Sequence, residues 1–313
     1  MTVIGGYLGA GKTTLVNRLL AGMTGERVAV IVNDFGAINV DADLIRSEEE
    51  HTIRLTNGCM CCSASDGMAA ALARLVARAG EIDRIVVETS GVAEPGKVAL
   101  NAHGFRLPLD GVIVLADAEQ LPAQAANRYV GGVVRRQLAQ ADIIVINKTD
   151  LVDAAGLSAV RGLVRTAAPD RPIIQTSNAE APLLLLFGTD ARPAMESSGE
   201  PDHAGHGHER VHHTWLFERD APLSKADVAA MAEDLTGRAV RAKGHVHLVD
   251  APETRHLYQQ VGRRWTLVPD GAWGERPPAT AVVAIGIVVH GAADVGDRTG
   301  NAARPEPSTA RPG

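Results

Sequence analysis

Two hydrophobic rhythms divide the chain. Up to about residue 182, short unbroken apolar runs alternate with stretches whose apolar positions recur every three or four residues. The runs at 2–4, 28–32, 52–55, 84–87, 112–117, 143–147 and 172–175 predict strands. The periodic stretches at 12–21, 65–79, 130–139 and 154–166 predict helices. Runs without polar alternation suit strands buried on both faces, so the pattern predicts a mostly parallel sheet covered by helices on both sides. Sheets of that kind bind ligands beyond the carboxyl ends of their strands.

The rhythm changes after Pro182. A short apolar helix at 183–187 leads into a stretch rich in Gly, Pro, Ser, Glu and His, and 183–210 reads as a linker. Beyond it, strands are expected at 211–217, 239–249 and 280–289 and a helix at 225–235, which makes 211–290 a small α+β domain. The tail 291–313 lacks large apolar residues after Val295 and is expected to be disordered. No internal repeat is visible.

Composition narrows the function classes. Of the 313 residues 45% are hydrophobic but only 3% aromatic, so Val, Leu, Ala and Ile must fill the core. A net charge of −6 with no basic stripe argues against a nucleic-acid partner. The apolar run at 279–289 is interrupted by Gly286 and is too short to span a bilayer. With a glycine-rich loop starting at residue 6, no leader is expected, and the reading is a soluble cytoplasmic protein without membrane contact.

That loop is Gly6-Tyr7-Leu8-Gly9-Ala10-Gly11-Lys12-Thr13, a complete G-x-x-x-x-G-K-[ST] between a predicted strand and a predicted helix. Its glycines and Ala10 let backbone N–H groups curl around phosphates, and Thr13 and Thr14 lie in the first turn of the helix whose positive end faces them. Lys12 is expected on the β- and γ-phosphates and the Thr13 hydroxyl on Mg²⁺. The fold class that follows is α/β, a P-loop NTPase domain plus the small C-terminal α+β domain. Asn147-Lys148-Thr149-Asp150 closes another predicted strand. The Asp150 carboxylate is suited to accept N1–H and the 2-amino hydrogens of guanine, which adenine does not offer together. The Asn147 amide can reach the base edge or tie loops together, and the Lys148 stem can lie across the ring. GTP and GDP are therefore the expected nucleotides.

Glu88-Thr89-Ser90-Gly91 follows a buried apolar run. Glu88 is placed to hold Mg²⁺ through water or to orient the attacking water, and the Gly91 N–H to approach the γ-phosphate; the alternative is a helix cap. Asn33-Asp34-Phe35-Gly36 ends the second strand. Asp34 is either a group touching Mg²⁺, nucleotide-bound water or a transported metal, or simply the start of a turn.

All three cysteines fall in Cys59-Met60-Cys61-Cys62, so a disulfide framework is excluded. Cys59, Cys61 and Cys62 can converge as thiolates on Zn²⁺ or Co²⁺, leaving a fourth position for water, Asp34 or a client residue. Buried apolar cysteines and a catalytic thiol are the competing readings.

Phosphate loop, N-D-F-G, C-x-C-C, E-T-S-G and N-K-x-D in this order resemble the CobW-type branch of the CobW/HypB/UreG family of metal-handling P-loop GTPases. The resemblance spans about 290 of the 313 residues, and its most specific part is the C-x-C-C. Arg241-Ala242-Lys243-Gly244 and Gly262-Arg263-Arg264-Trp265 also look like motifs of that family's C-terminal domain. The resemblance implies a GTPase that delivers a metal ion to a client metalloprotein; a homodimer is compatible with it. Two departures stand out. Asp34 takes the place of a more usual Glu, and His245 and His247 replace bulky apolar or aromatic residues.

His203, His206, His208, His212 and His213 crowd the linker and are either loose ligands for Zn²⁺, Ni²⁺ or Co²⁺ or incidental residues of a solvated tract. The expected function is a GTP-hydrolysing metallochaperone in which GTP gates release of metal or client. The alternatives are a metal-storage or metal-sensing protein whose GTP site is regulatory, and a small-molecule kinase.

Overall fold

Seven strands, each running the same way as its neighbours, form the larger sheet in the order β3-β2-β4-β1-β5-β6-β7. They are β1 (Thr2–Gly6), β2 (Val28–Asn33), β3 (Thr52–Thr56), β4 (Arg84–Thr89), β5 (Gly111–Asp117), β6 (Ile143–Asn147) and β7 (Ile173–Gln175). The computed structural model describes residues 1–22, 26–33, 52–56, 64–187, 212–274 and 277–287.

Successive side chains of a strand point to opposite faces, so each unbroken apolar run supplies two cores. Val3, Ile31, Val87, Val112, Val114 and Ile144 face one of them. There they meet Leu72 of α2 (Ala64–Val76), Ala102 of α3 (Pro95–Gly104), Leu138 of α5 (Gly131–Ala139) and Val160 of α6 (Ala154–Ala167). The intervening residues Ile4, Val30, Val86, Ile113, Leu115 and Val145 face the other. Leu15 and Leu19 of α1 (Lys12–Gly22) and Leu185, Leu186 and Phe187 of α7 (Leu183–Phe187) cover them. The short α4 (Leu121–Ala126) lies between β5 and α5 in the chain.

The remaining strands form an antiparallel sheet, β11-β10-β9-β12-β8. These are β8 (His212–Arg219), β9 (Arg241–Leu248), β10 (Ala251–Val261), β11 (Arg264–Ala272) and β12 (Thr280–Ile287). One face is covered by α8 (Lys225–Leu235), which begins with a reciprocal capping box between Ser224 and Asp227. Val228 and Ala232 of that helix pack with Ala242, Val246, Tyr258, Val282 and Ala284 of the sheet.

The periodic reading found the parallel strands but only three of these five. It passed over β10 and β11, where Glu253, Arg255, Gln259, Thr266 and Asp270 break the apolar alternation. The strand expected from 239 starts at Arg241, and the helix expected to reach 79 stops at Val76. Helices α3 and α4 were also missed, since a proline near the start of each and the glycines or small residues of α3 resemble loop composition.

The second sheet docks at the amino ends of the parallel strands. Arg264 pairs with Asp142, next to the start of β6, at 2.6 Å, and Arg263 with Asp170 at 2.7 Å. Val240, Val261 and Ile285 join the core that contains Ile4 and Ile113. The carboxyl ends of the sheet are thereby left for the loops described next.

Candidate functional site

β1 lies between β4 and β5 at the centre of the sheet, fully buried, and delivers the chain into the glycine-rich loop. Gly11 takes φ +100°, and a Cβ there would collide with the Asn147 amide. Only glycine suits that position. The Ala10 N–H donates to the Tyr7 carbonyl at 3.2 Å, closing the turn before α1. Lys12 is buried, and its Nζ reaches back toward the Tyr7 carbonyl at 3.4 Å.

Parallel pairing puts Ile4 of β1 opposite Glu88 of β4. Glu88, the penultimate residue of its strand, therefore lies beside the first turn of α1, and Thr13 Oγ1 donates to Glu88 Oε1 at 2.7 Å. A hydroxyl and a carboxylate side by side, hard oxygen donors below a loop of backbone N–H groups, fit a Mg²⁺–nucleotide. Thr13 and Glu88 would hold the ion, and Lys12 the phosphates. Bound there, Mg²⁺ would supply charge neutralisation for phosphoryl transfer.

The segment after Glu88 is fastened from behind. Gln137 of α5, 1% exposed, donates both amide hydrogens, to the Gly91 carbonyl at 2.9 Å and to the Ala93 carbonyl at 2.8 Å. On its other side Gly91 packs against Leu8 of the phosphate loop, at a distance that leaves no room for a side chain. A single buried amide thus fixes the 90–94 turn relative to the loop.

Asn147 ties two loops together in this structure. Its Nδ2 donates to the Ala10 carbonyl at 3.0 Å, and its Oδ1 accepts the Ala179 N–H at 2.8 Å. Lys148 follows in the left-handed region (φ +61°) and its Nζ lies 2.7 Å from Asp117 Oδ2 at the end of β5. The other oxygen of Asp117 accepts the N–H groups of Glu119 and Gln120. Asp150 sits in the one-turn helix Thr149–Leu151 with its side chain exposed. Thr149 is anchored to the Thr176 carbonyl at 3.2 Å.

The sequence reading missed three parts of this arrangement. Asp117 lay in a predicted strand as its last residue and was given no role. Gln137 lay within a predicted helix. Thr176-Ser177-Asn178-Ala179 followed a predicted strand, and only its position after β7 marks it. Asn178 and Ala179 both have positive φ, and Arg18 of α1 secures the turn by donating to the Asn178 carbonyl at 2.8 Å.

Asp34, Cys59, Cys61 and Cys62 lie outside the described residues, as do His203, His206 and His208. Among the described residues no group of three or more His, Cys, Asp or Glu is disposed to hold a metal ion. None of their helices is long and apolar enough to cross a membrane. His245 and His247 occupy one face of β9; His245 Nε2 is 3.5 Å from Asp270, and the His247 ring meets Trp273 edge-on.

Residues 1–175 match the family described as "CobW/HypB/UreG, nucleotide-binding domain", and residues 212–293 match "Cobalamin synthesis protein cobW C-terminal domain". The chain is 33% identical to the zinc chaperone CobW of a Sinorhizobium species, over 91% of this chain and 92% of that one. It is 32% identical to the zinc chaperone YjiA of Escherichia coli, over 92% and 93%. A zinc-regulated GTPase metalloprotein activator of Schizosaccharomyces pombe is 35% identical over 56% of this chain and 45% of its own length.

Proposed function

The chain belongs to the CobW/HypB/UreG family, and from that premise we propose that it is a GTP-hydrolysing metallochaperone serving a client metalloprotein. The observation that carries the reading is the Thr13–Glu88 contact beneath the glycine loop, which joins the phosphate-binding segment to an acidic strand end. Asp150, exposed beyond the Asn147 tether, supports guanine as the base. Lys12 neutralises phosphate charge, Glu88 acts on Mg²⁺ or on the attacking water, and the Gly91 N–H meets the γ-phosphate. The nucleotide-binding domain is taken to span 1–182, the linker 183–210 and the C-terminal domain 211–290.

The cargo is a transition metal, held by Cys59, Cys61 and Cys62. Zn²⁺ is favoured by three thiolates and by the relatives named as zinc chaperones, and Co²⁺ would accept the same ligands. Asp34 stands between the phosphate loop and this motif in sequence and is assigned to sensing the nucleotide or completing the metal's ligands. GTP orders the segments that carry the thiolates, and hydrolysis relaxes them and releases metal or client.

An anaerobic Zn²⁺ titration of the full chain, once with a non-hydrolysable GTP analogue and once with GDP, tests this. Zn²⁺ should bind at least about tenfold more tightly in one nucleotide state, and Cys61→Ala should abolish the difference. Equal affinities in the two states would remove the gate, because a ligand shifts an equilibrium only through differential affinity.

A further inference from the structure

Parallel pairing sets Asp117, the last residue of β5, opposite Asn147, the last residue of β6. The chain then bends at Lys148, which takes φ +61°, a left-handed conformation that residues with a side chain rarely adopt. The Lys148 ammonium comes to lie 2.7 Å from Asp117 Oδ2. The Lys148 side chain keeps 35% of its surface exposed, whereas that of Asp117 keeps 3%. The ammonium is thus tethered to a neighbouring strand end while the stem stays open to a ligand.

The two oxygens of Asp117 have separate tasks. Oδ1 accepts the N–H groups of Glu119 at 2.9 Å and Gln120 at 3.1 Å, and an asparagine oxygen would serve them as well. A negative charge at so buried a point is costly unless it is paired. Lys148 supplies the pairing cation, and it accounts for a carboxylate rather than an amide at the end of β5. A second carboxylate competes for that cation. Asp150 is two residues on, in the turn closed by the Leu151 N–H on the Lys148 carbonyl at 3.1 Å. Asp150 is exposed, and its carboxylate makes no hydrogen bond or ion pair with any described residue. A long, flexible ammonium released from Asp117 would find Asp150 as the adjacent counter-charge.

We infer that, given the guanine base proposed above, Asp117 is a positioning residue for base selection. By holding the Lys148 ammonium on β5 it keeps the Asp150 carboxylate open to the N1–H and 2-amino hydrogens of guanine. A carboxylate already bearing an ammonium offers those donors fewer lone pairs and less charge. Asp117 acts through Lys148 and contacts no base atom itself. β5 carries none of the nucleotide motifs, yet its last residue controls how one of them is read.

Affinities of the full chain for GTP, ITP and ATP, measured with Mg²⁺ by competition against a fluorescent GTP analogue, test this. ITP lacks only the 2-amino group of GTP, so the GTP:ITP ratio reports the Asp150 contact. The wild-type chain should favour GTP over ITP at least about tenfold. Asp117→Asn preserves the Oδ1 acceptor and should cut that ratio at least about fivefold. Lys148→Met removes the ammonium but keeps a straight stem; it should weaken both nucleotides together and leave the ratio within about twofold. Asp117→Asn combined with Lys148→Met should return the ratio to the wild-type value, because no ammonium remains to capture Asp150. A wild-type ratio in Asp117→Asn would overturn the inference. So would a double variant no better than Asp117→Asn, which would make Asp117 only a cap for the turn after β5. A fall of the ratio in Lys148→Met would also overturn it, whether or not Asp117→Asn folds. A wild-type chain that binds ITP and ATP as tightly as GTP would instead remove the guanine assignment itself, and the role of Asp117 with it.

Discussion

The two ends of the parallel sheet are held together by different chemistry. At the carboxyl ends, segments far apart in sequence are tied by neutral side-chain amides to backbone groups: Asn147 to Ala10 and Ala179, Gln137 to Gly91 and Ala93. At the amino ends the ties are charged, with Arg84 on Glu26, Arg264 on Asp142 and Arg241 on two carbonyls. The difference is instructive. A site for a polyanion with its Mg²⁺ works through its own Lys12, Glu88 and Asp150; beside the Lys148–Asp117 pair and the Arg18 bond to the Asn178 carbonyl, the Asn147 and Gln137 amides anchor the phosphate loop and the turn after Glu88 without adding charge there. A junction between two units has no such constraint and can use arginines, whose long forks bridge separate elements.

If that contrast is right, variants at the two ends should separate function from stability. The largest effect is expected at Lys12. Lys12→Ala should lower GTP turnover by about 10²–10³, the scale seen when one stabiliser of transition-state charge is removed. Phosphate release under saturating GTP measures it, and the thermal midpoint should stay close to that of the wild-type chain. A collapse of the midpoint equal to the loss of turnover would show that Lys12 serves the fold rather than the chemistry.

Asn147→Ala should register on both scales. It leaves the Ala10 carbonyl and the Ala179 N–H without a partner in a buried setting, at a cost of about 1–3 kcal/mol. GTP affinity should fall with stability, because the phosphate loop and the loop after β7 lose their common tether. Chemical denaturation and equilibrium binding of a labelled GTP analogue would show it; a stability loss with unaltered affinity would mean that the tether does not shape the site.

Arg264→Met works from the opposite end. It strands Asp142, whose carboxylate also accepts the Val112 N–H at 2.8 Å, and should cost about 1–3 kcal/mol without changing GTP affinity. An equal fall in GTP affinity would erase the contrast between the two ends.

Much of the nucleotide site could be read in the sequence because its key residues are contiguous. The spacing from Gly6 to Thr13 and the order of Asn147 to Asp150 are properties of short segments whose chemistry depends on local backbone shape. Asp117, Gln137 and the turn at 176–179 were not legible, since each acts only after the sheet has set distant strand ends side by side. Gln137 sits 44 to 46 residues from the carbonyls it holds. The same reason hid the junction: nothing near Arg241 in sequence announces Leu186 or Asp110. The parallel strands were legible because burial on both faces leaves an unbroken apolar run. β10 and β11 were not, because their polar residues interrupt the expected alternation.

The smallest effect, and the one that sharpens the contrast most finely, concerns two aspartates at the amino-end rim. Asp83 is exposed and accepts Arg27 through both carboxylate oxygens as well as through the Arg27 backbone N–H, which lowers it from 3.8 to about 2. A depressed carboxylate contributes stability above its unfolded value that is lost as pH falls through the folded one. The midpoint difference between the wild-type chain and Asp83→Asn should therefore be full above about pH 4, shrink toward pH 2, and fall with added salt. Solvent screening keeps it within about 2 °C. Asp142 goes the other way: desolvation by burial raises it, with Arg264 opposing. A raised carboxylate adds stability that is complete below its unfolded value and is lost as pH rises through the folded one. Removing Arg264 raises Asp142 further, so acidification should relieve part of the Arg264→Met penalty at a pH above the range where Asp83 responds. Thermal midpoints of the two variants between pH 2 and 7 would decide it: penalties that fade together over one pH range would mean that burial does not distinguish the two pairs.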